Sequence, residues 1–421
     1  MFVKTRIYTT TMLNKFKRLI IQMLLWKARH RIFSWRSYSH WVENLHQDKK
    51  LFVPFTSKPF KRQENDVKIF TYYLTQFHAI PENDKAHGKG FTEWTNVAST
   101  IPHFVGHHQP KIPYDLGFYN LLMPGIMERQ VEIAKTYGVY GFCFYYYWFS
   151  GKKVLEKPLE YWLSHKEIDF PYHFCWANEN WSKLWDGGNS EVMLKQELKD
   201  SDAENFFYDI LPYMKDPRYE KIDNKPMLMI YRPSMFPKEK FIKFVNVLQT
   251  LAKNNGFNGL YLMSSNHTKI EDDIETWGLQ AEVEFPPHGI KVKSNKTIDR
   301  LIPATNFTIH MMDEFVKEKK YLTETTNKIF RCCFPSWDNT PRKAWSWGMC
   351  YLLKDEDFKT WLYDIIQWTK KNHSKNEQYV YINAWNEWAE GAILEPTTRF
   401  GYKYLDIIKE VLIISQNKTI L

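Results

Sequence analysis

The order of apolar runs predicts an α/β protein: a (β/α)8 barrel of the TIM type carrying a basic N-terminal extension. Three observations carry that expectation. From Val67 onward, eight short runs rich in β-branched and aromatic residues recur along the chain. Segments with helical periodicity stand between many of them. Residues able to do chemistry crowd the stretches after the runs, where a parallel barrel keeps its functional loops.

The expected strands are "VKIFTYYL" (Val67 to Leu74), "VYGFCFYYYW" (Val139 to Trp148), "PYHFCW" (Pro171 to Trp176), "PMLMIY" (Pro226 to Tyr231), "GLYLMSS" (Gly259 to Ser265), "AEVEF" (Ala281 to Phe285), "KIFRCCF" (Lys328 to Phe334) and "YVYINAW" (Tyr379 to Trp385). Helical patterns follow the first ("NLLMPGIMERQVEIAKTYG"), third ("SDAENFFYDIL"), fourth, seventh ("DEDFKTWLYDIIQWTKKN") and eighth ("FGYKYLDIIKEVLII"). The one after the fourth is the cleanest: Phe241, Phe244, Val245, Leu248, Leu251 and Ala252 share a face, and Gly256 is its stop. The chain thus divides into an extension over residues 1–65 and a barrel over residues 66–421.

The bulk numbers fit a soluble globular protein, with 44% hydrophobic and 25% charged residues. Trp, Tyr and Phe make up 17%, and flat rings suit stacking on sugars, although most are expected to fill the core. The net charge of +9 is concentrated near the N-terminus, where Lys15, Lys17, Arg18, Lys27, Arg29 and Arg31 stand in a stretch without an acidic residue. That distribution argues against a nucleic-acid-binding surface on the body. The apolar run Leu19 to Trp26 is too short to span a bilayer and lacks a small-residue cleavage site behind it, so neither a transmembrane helix nor a cleaved signal peptide is expected. Its basic flanks suit peripheral contact with anionic lipid. Five cysteines without a CxxC pair fit a reducing, cytoplasmic compartment.

The stretches after the strands hold the candidate site. After strand one come Gln76, His78, Glu93, Trp94 and Asn96; after strand two, Tyr146, Tyr147 and Trp148; after strand three, Asn178, Glu179, Asn180, Trp181, Trp185 and Asp186. Glu284 follows strand six, and "PSWDNTPR" after strand seven brings Trp337, Asp338, Asn339 and Arg342. Strand eight runs into "NAWNEWAEGAILEP" (Asn383 to Pro396), which contains Asn386, Glu387, Glu390 and Glu395. Amides and acids that bond hydroxyls, mixed with indoles that meet C–H faces, are the chemistry of a carbohydrate site. Taken one loop at a time, helix capping and gap filling account for the same residues; taken together, six such loops do not reduce to that.

Four segments, "YYLTQFHAIPENDKAHGKGFTEWTNV", "CWANENWSKLWDG", "PSWDNTPR" and "NAWNEWAEGAILEP", resemble the WbsX-like family of glycosyltransferases of lipopolysaccharide and capsule biosynthesis, over roughly Val67 to Ile414. That family is similar in turn to glycoside hydrolase family 99, the endo-α-mannosidases and endo-α-mannanases, which implies the barrel fold. At strand eight the resemblance sets Glu387 as the base that takes a proton from the sugar 2-hydroxyl. Glu390 is then the acid and base at the glycosidic oxygen. It implies an oligosaccharide or lipid-linked glycan as substrate and is compatible with transfer to a sugar as well as to water.

The residues support the pair independently, because glycosidic chemistry needs one group to protonate the leaving oxygen and another to assist attack. On a helical turn a spacing of three residues would put both carboxylates on one face, and Trp385 and Trp388 would supply the desolvation that raises a carboxyl pKa. The opposing reading is a helix start at which Asn386 caps and the acids complement the dipole. Glu395 is expected to shape the pocket or bond substrate.

Two other functional classes were weighed. A metal-dependent nucleotide-sugar transferase would use an Asp-x-Asp pair, present at Asp200/Asp202 and Asp355/Asp357, but both precede amphipathic helices as caps do. A non-catalytic carbohydrate binder would have no need of two motif glutamates. His87, His103, His107 and His108 lack a recognised ligand spacing, so neither a metal nor a cofactor is expected.

Overall fold

The computed structural model describes residues 49–104, 106–182, 191–265, 270, 273–294, 307–343 and 348–417. Eight parallel strands close into a barrel: β1 (Lys68–Tyr73), β2 (Gly141–Phe149), β3 (Tyr172–Trp176), β4 (Lys225–Ile230), β5 (Tyr261–Ser265), β6 (Ala281–Val283), β7 (Ile329–Phe330 and Cys332–Cys333) and β8 (Tyr379–Ile382). Each pairs with the next in chain order, and β8 returns to β1 with Phe70 opposite Tyr381. All eight expected strands are present, so the barrel expectation holds.

Closure runs through a broken strand. Ile329–Phe330 pairs with β6 and Cys332–Cys333 with β8, and Arg331 between them is fully buried. Its guanidinium donates to Glu284 Oε1 at 2.6 Å and to the Thr323 carbonyl, and lies 4.3 Å from the Trp368 ring centroid. The Cys332 N–H donates to the other Glu284 oxygen. Both oxygens of Glu284, expected at the rim, are thus engaged in joining β6 to β7.

The return helices are α1 (Ile126–Tyr137), α2 (Lys157–Ser164), α3 (Asp202–Met214), α4 (Lys238–Asn254), α5 (Asp313–Lys317), α6 (Asp355–Asn372) and α7 (Lys403–Asn417), with a 3-10 turn at Ile274–Trp277 after β5. The short α2, with Pro158 in its first turn, was not foreseen. Helix α1 starts later than its apolar pattern suggests: Pro124 and Gly125, the latter at φ 88°, delay it to Ile126. Asp202 and Asp355 open α3 and α6; Asp202 accepts from the Lys199 N–H, and Asp355 pairs with Lys403 at 2.8 Å. The Asp-x-Asp segments therefore stand at helix starts, and Asp202 also accepts from the Ser150 hydroxyl.

A small second sheet rests over the barrel rim. Phe307–Met311 runs parallel to Gly348–Leu352, which pairs antiparallel with Trp337–Asp338. The compact barrel unit begins at Leu51, so the expected boundary at residue 65 falls within it: Val53 exchanges backbone bonds with Phe400 and Tyr402, and Phe60 packs against Gly138. The Leu19 to Trp26 segment lies outside the described residues. Among the described residues no helix is long and apolar enough to cross a membrane, and all five cysteines are free and buried.

Candidate active site

The stretch after β8 folds as a hairpin. Asn386–Glu387 pairs antiparallel with Ala392–Ile393 around a 3-10 turn at Trp388–Glu390 and Gly391 at φ 62°. A β-carbon at Gly391 would sit 3.0 Å from the Asp338 backbone nitrogen, so both the handedness and the close approach call for glycine. No α-helix carries the pair, contrary to expectation: Glu387 ends a strand and Glu390 ends the three-residue turn that follows it. Asn386 is not a helix cap. Its side-chain oxygen accepts from the Leu74 N–H at 2.7 Å and its amide donates to the Leu74 carbonyl, stitching the hairpin to the end of β1.

The β7 loop meets this hairpin from the side. Asp338 accepts from the Thr340 N–H and hydroxyl, which sets up the helical turn Thr340–Lys343 with Pro341 at its start. That turn presents Arg342 to three carboxylates. Arg342 Nη1 donates to Glu390 at 2.7 Å, Nη2 to Glu387 at 3.3 Å and Nε to Glu93 at 2.8 Å, while Nη2 also lies 2.7 Å from the same Glu93 oxygen as an ion pair. The sequence marks Arg342 only as a member of its motif, because one arginine behind a proline gives no local sign that it will be buried among acids.

Arg342, Glu387 and Glu390 line a cavity of about 270 Å³ at the C-terminal end of the barrel, and the buried Glu93 stands outside its lining. Of the expected site residues, Gln76, Tyr147, Glu179, Asn180, Trp181, Trp337, Asn339, Arg342, Glu387 and Glu390 line it. Sequence reasoning missed Tyr145, Tyr231, Phe285, His288, Lys343 and Met349, which line it too. The signal for Tyr145 was strand parity. Side chains alternate along β2, so Tyr145 and Tyr147 face the lumen while Tyr146 and Trp148 face outward. Tyr146 stacks on Phe174 and Trp148 donates to Asp209 on α3, so neither is on the wall, contrary to expectation.

Other expected contacts lie behind the wall as its scaffold. Trp94 donates to the Tyr119 carbonyl and packs on Trp388; Asn178 bonds both backbone groups of Arg232; His78 is buried, which lowers its pKa to about 4. Asn96 stands half-buried on the turn Glu93–Ser99, outside the cavity lining. Glu395 is enclosed: Gln130 Nε2 and Trp385 Nε1 donate to one oxygen at 2.6 and 3.1 Å, Tyr119 and Trp388 Nε1 to the other at 2.9 and 2.6 Å. Burial raises its pKa to about 7 against those four bonds. The two tryptophans expected to desolvate the catalytic pair thus donate their N–H groups to Glu395.

The electrostatics of the pair are asymmetric. Burial pushes Glu387 well above the usual carboxylate range; Glu390 and Glu93 push the same way and Arg342 opposes them. The phenols Tyr145, Tyr147 and Tyr231 are raised, first by burial and then by nearby carboxylates including Glu387, so they stay neutral hydrogen-bonding groups. Glu179 pairs with Arg232 at 2.8 Å.

Among the described residues, His107, Asp338 and Cys350 bring ligand atoms within 4.8 Å of one another. His107 Nε2 lies 2.7 Å from Asp338 Oδ2, Gln109 donates to that oxygen, and Thr340 takes the other. The carboxylate is saturated by these bonds, and its pKa falls despite burial because His107, Lys111 and Thr340 favour its ionised form. Asp338, expected to touch substrate, instead fixes the loop that aims Trp337 and Arg342, and the group serves as a hydrogen-bond network.

Comparison with known proteins agrees with this fold. Two solved structures of a GH99 endo-alpha-mannosidase from Bacteroides thetaiotaomicron, one in complex with bis-tris-propane, superpose with TM-scores of 0.51 and 0.50 at 13% and 14% identity. They cover 86% and 85% of this chain and 100% and 99% of theirs, which establishes the shared fold. A protein described as uncharacterized, WxcX of Xanthomonas campestris pv. campestris, is 37% identical over 346 residues. The match takes in 82% of this chain and 49% of that protein, so the chain spans about half the length of the curated relatives it matches. The profile of the family described as Glycosyltransferase WbsX matches residues 69–408. Matched over most of its length, the chain belongs to the WbsX glycosyltransferase family.

Proposed function

We propose that this protein acts at a glycosidic bond, with Glu387 as the base and Glu390 as the acid and base at the leaving oxygen. The observation that carries the reading is the meeting of both carboxylates at one guanidinium on the wall of an aromatic-lined cavity. Two carboxyl groups held in different electrostatic environments are what proton transfer in both directions requires. Buried donors on the same wall, Gln76 Nε2, Trp181 Nε1 and Trp337 Nε1, have no partner among the described residues, which suits a ligand bringing hydroxyl acceptors.

The ligand on this reading is an oligosaccharide or lipid-linked glycan of surface polysaccharide assembly, lipopolysaccharide O-antigen or capsule, handled on the cytoplasmic side. The test is incubation of the full chain with α-mannosides and lipid-linked oligosaccharides, read by mass spectrometry. The expected result is a product from at least one of them, shortened by hydrolysis or lengthened by transfer; an unchanged panel counts against the reading.

The basic, apolar-centred segment before residue 49 is the proposed contact with an anionic bilayer surface. Cosedimentation with vesicles containing phosphatidylglycerol is expected to fall at least tenfold when residues 1–48 are removed. Equal binding by the shortened chain would refute that part.

A further inference from the structure

The mechanism above uses two of the three carboxylates that meet at Arg342. Glu93 is the third: its side chain is fully buried and takes the closest grip, with Arg342 Nε and Nη2 both within 2.8 Å of one oxygen. A guanidinium stays charged at any working pH, so the group carries +1 against as many as three negative charges in a largely buried cluster. Like charges that close do not all ionise together, and a proton stays in the cluster. The contacts indicate where. Glu93 accepts from Nε at 2.8 Å and stands 2.7 Å from Nη2; Glu390 accepts a short bond at 2.7 Å and keeps 21% of its side chain exposed; among the described residues Glu387 has the 3.3 Å contact and is 7% exposed.

We propose that Glu93 and Arg342 are positioning residues that hold the proton of the resting pair on Glu387 and charge on Glu390, and that an entering sugar draws Arg342 from Glu390 toward Glu387. Glu93 is the fixed anchor and the guanidinium the movable partner. The resting arrangement is the reverse of what the first step needs, a base at Glu387 and an acid at Glu390, so as Arg342 shifts the proton passes from Glu387 to Glu390, and the site is armed only once occupied. The roles given to the pair rest on the function proposed above; the resting charge arrangement does not.

The groups facing Glu387 are Arg342 from the β7 loop, Glu390 from its own hairpin, Glu93 from the β1 loop, and the phenols of Tyr145, Tyr147 and Tyr231. Glu179, His288 and Lys343 line the same cavity. Removing one charge from this set moves the Glu387 titration in a defined direction. Arg342→Gln deletes the group that favours the ionised form, so the midpoint rises by about 1–3 pH units; Glu93→Gln deletes a repelling carboxylate, so it falls.

The measurement is carbon-13 NMR of the full chain labelled at glutamate Cδ, with Glu387 assigned from Glu387→Gln. No substrate is needed, so the outcome is separable from that of the glycan panel. Shifts of opposite sign in the two variants support the proposal. A midpoint that stays put in both, or moves the same way in both, overturns it. Arg342→Lys covers the case in which Arg342→Gln does not fold: a point charge without the fork is expected to leave the midpoint closer to wild type than Glu93→Gln does. Where a substrate is in hand, the acid limb of kcat/KM should follow these shifts, whereas a purely structural role would lower activity equally at every pH.

Discussion

Replacing Glu390 or Glu387 by glutamine is expected to cut turnover on the responsive glycan by about 10²–10⁴-fold, the range seen when a positioned acid or base is lost. Glutamine keeps the size and one hydrogen-bonding oxygen but cannot transfer the proton. Both side chains sit at the cavity edge of a hairpin fixed by Asn386 and Gly391, so circular dichroism and melting should change little. The pH profile gives a second reading of the same roles. Burial holds the Glu387 pKa well above the usual carboxylate range, and a base must be ionised to act. The kcat/KM of the wild type should therefore fall as pH drops through that raised value. A full-rate variant at either position would remove it from the reaction.

Glu395 is expected to matter as much, but to folding. Glu395→Ala strips the acceptor from Gln130, Trp385, Tyr119 and Trp388 at once, leaving four buried donors facing a void. Each such donor costs about 1–3 kcal/mol, and since neighbouring losses do not add, a total of about 3–5 kcal/mol is expected. Glu395→Gln, which sets an amide N–H against inward-pointing donors, should lose less. Urea denaturation followed by tryptophan fluorescence reads both. Midpoints equal to wild type would show that the cage contributes nothing, and loss of activity without loss of stability would return Glu395 to the substrate.

These two glutamates show where sequence legibility ends. Eight apolar runs and the rule that barrels work at their strand ends were enough to place Glu387, Glu390, Glu179 and Trp337 at one end of one fold, because strand patterning and chain order are local properties. Which side of the wall a residue takes is decided by parity and by partners far away in sequence. Tyr146, Tyr147 and Trp148 are all expected in the site; a count of two along β2 keeps Tyr147, removes the other two and adds Tyr145. Glu395 and Glu387 are chemically identical and eight positions apart, and only the tertiary packing of Gln130 and Tyr119 separates a structural acid from a proposed catalyst. The sheet of Phe307–Met311 with Gly348–Leu352 joins segments far apart in the chain, so neither run announces its partner, and with that sheet goes the placement of Arg342.

Mass spectrometry of glycan products from wild type and from the Glu387→Gln, Glu390→Gln double variant, incubated side by side in ¹⁸O-labelled water, decides whether Glu387 and Glu390 together act on a glycosidic bond. The wild type should yield new glycan masses, with the label at the new reducing end if water is the acceptor and without it if a sugar is. The folded double variant should yield none. Products in equal amount from both proteins would contradict the account.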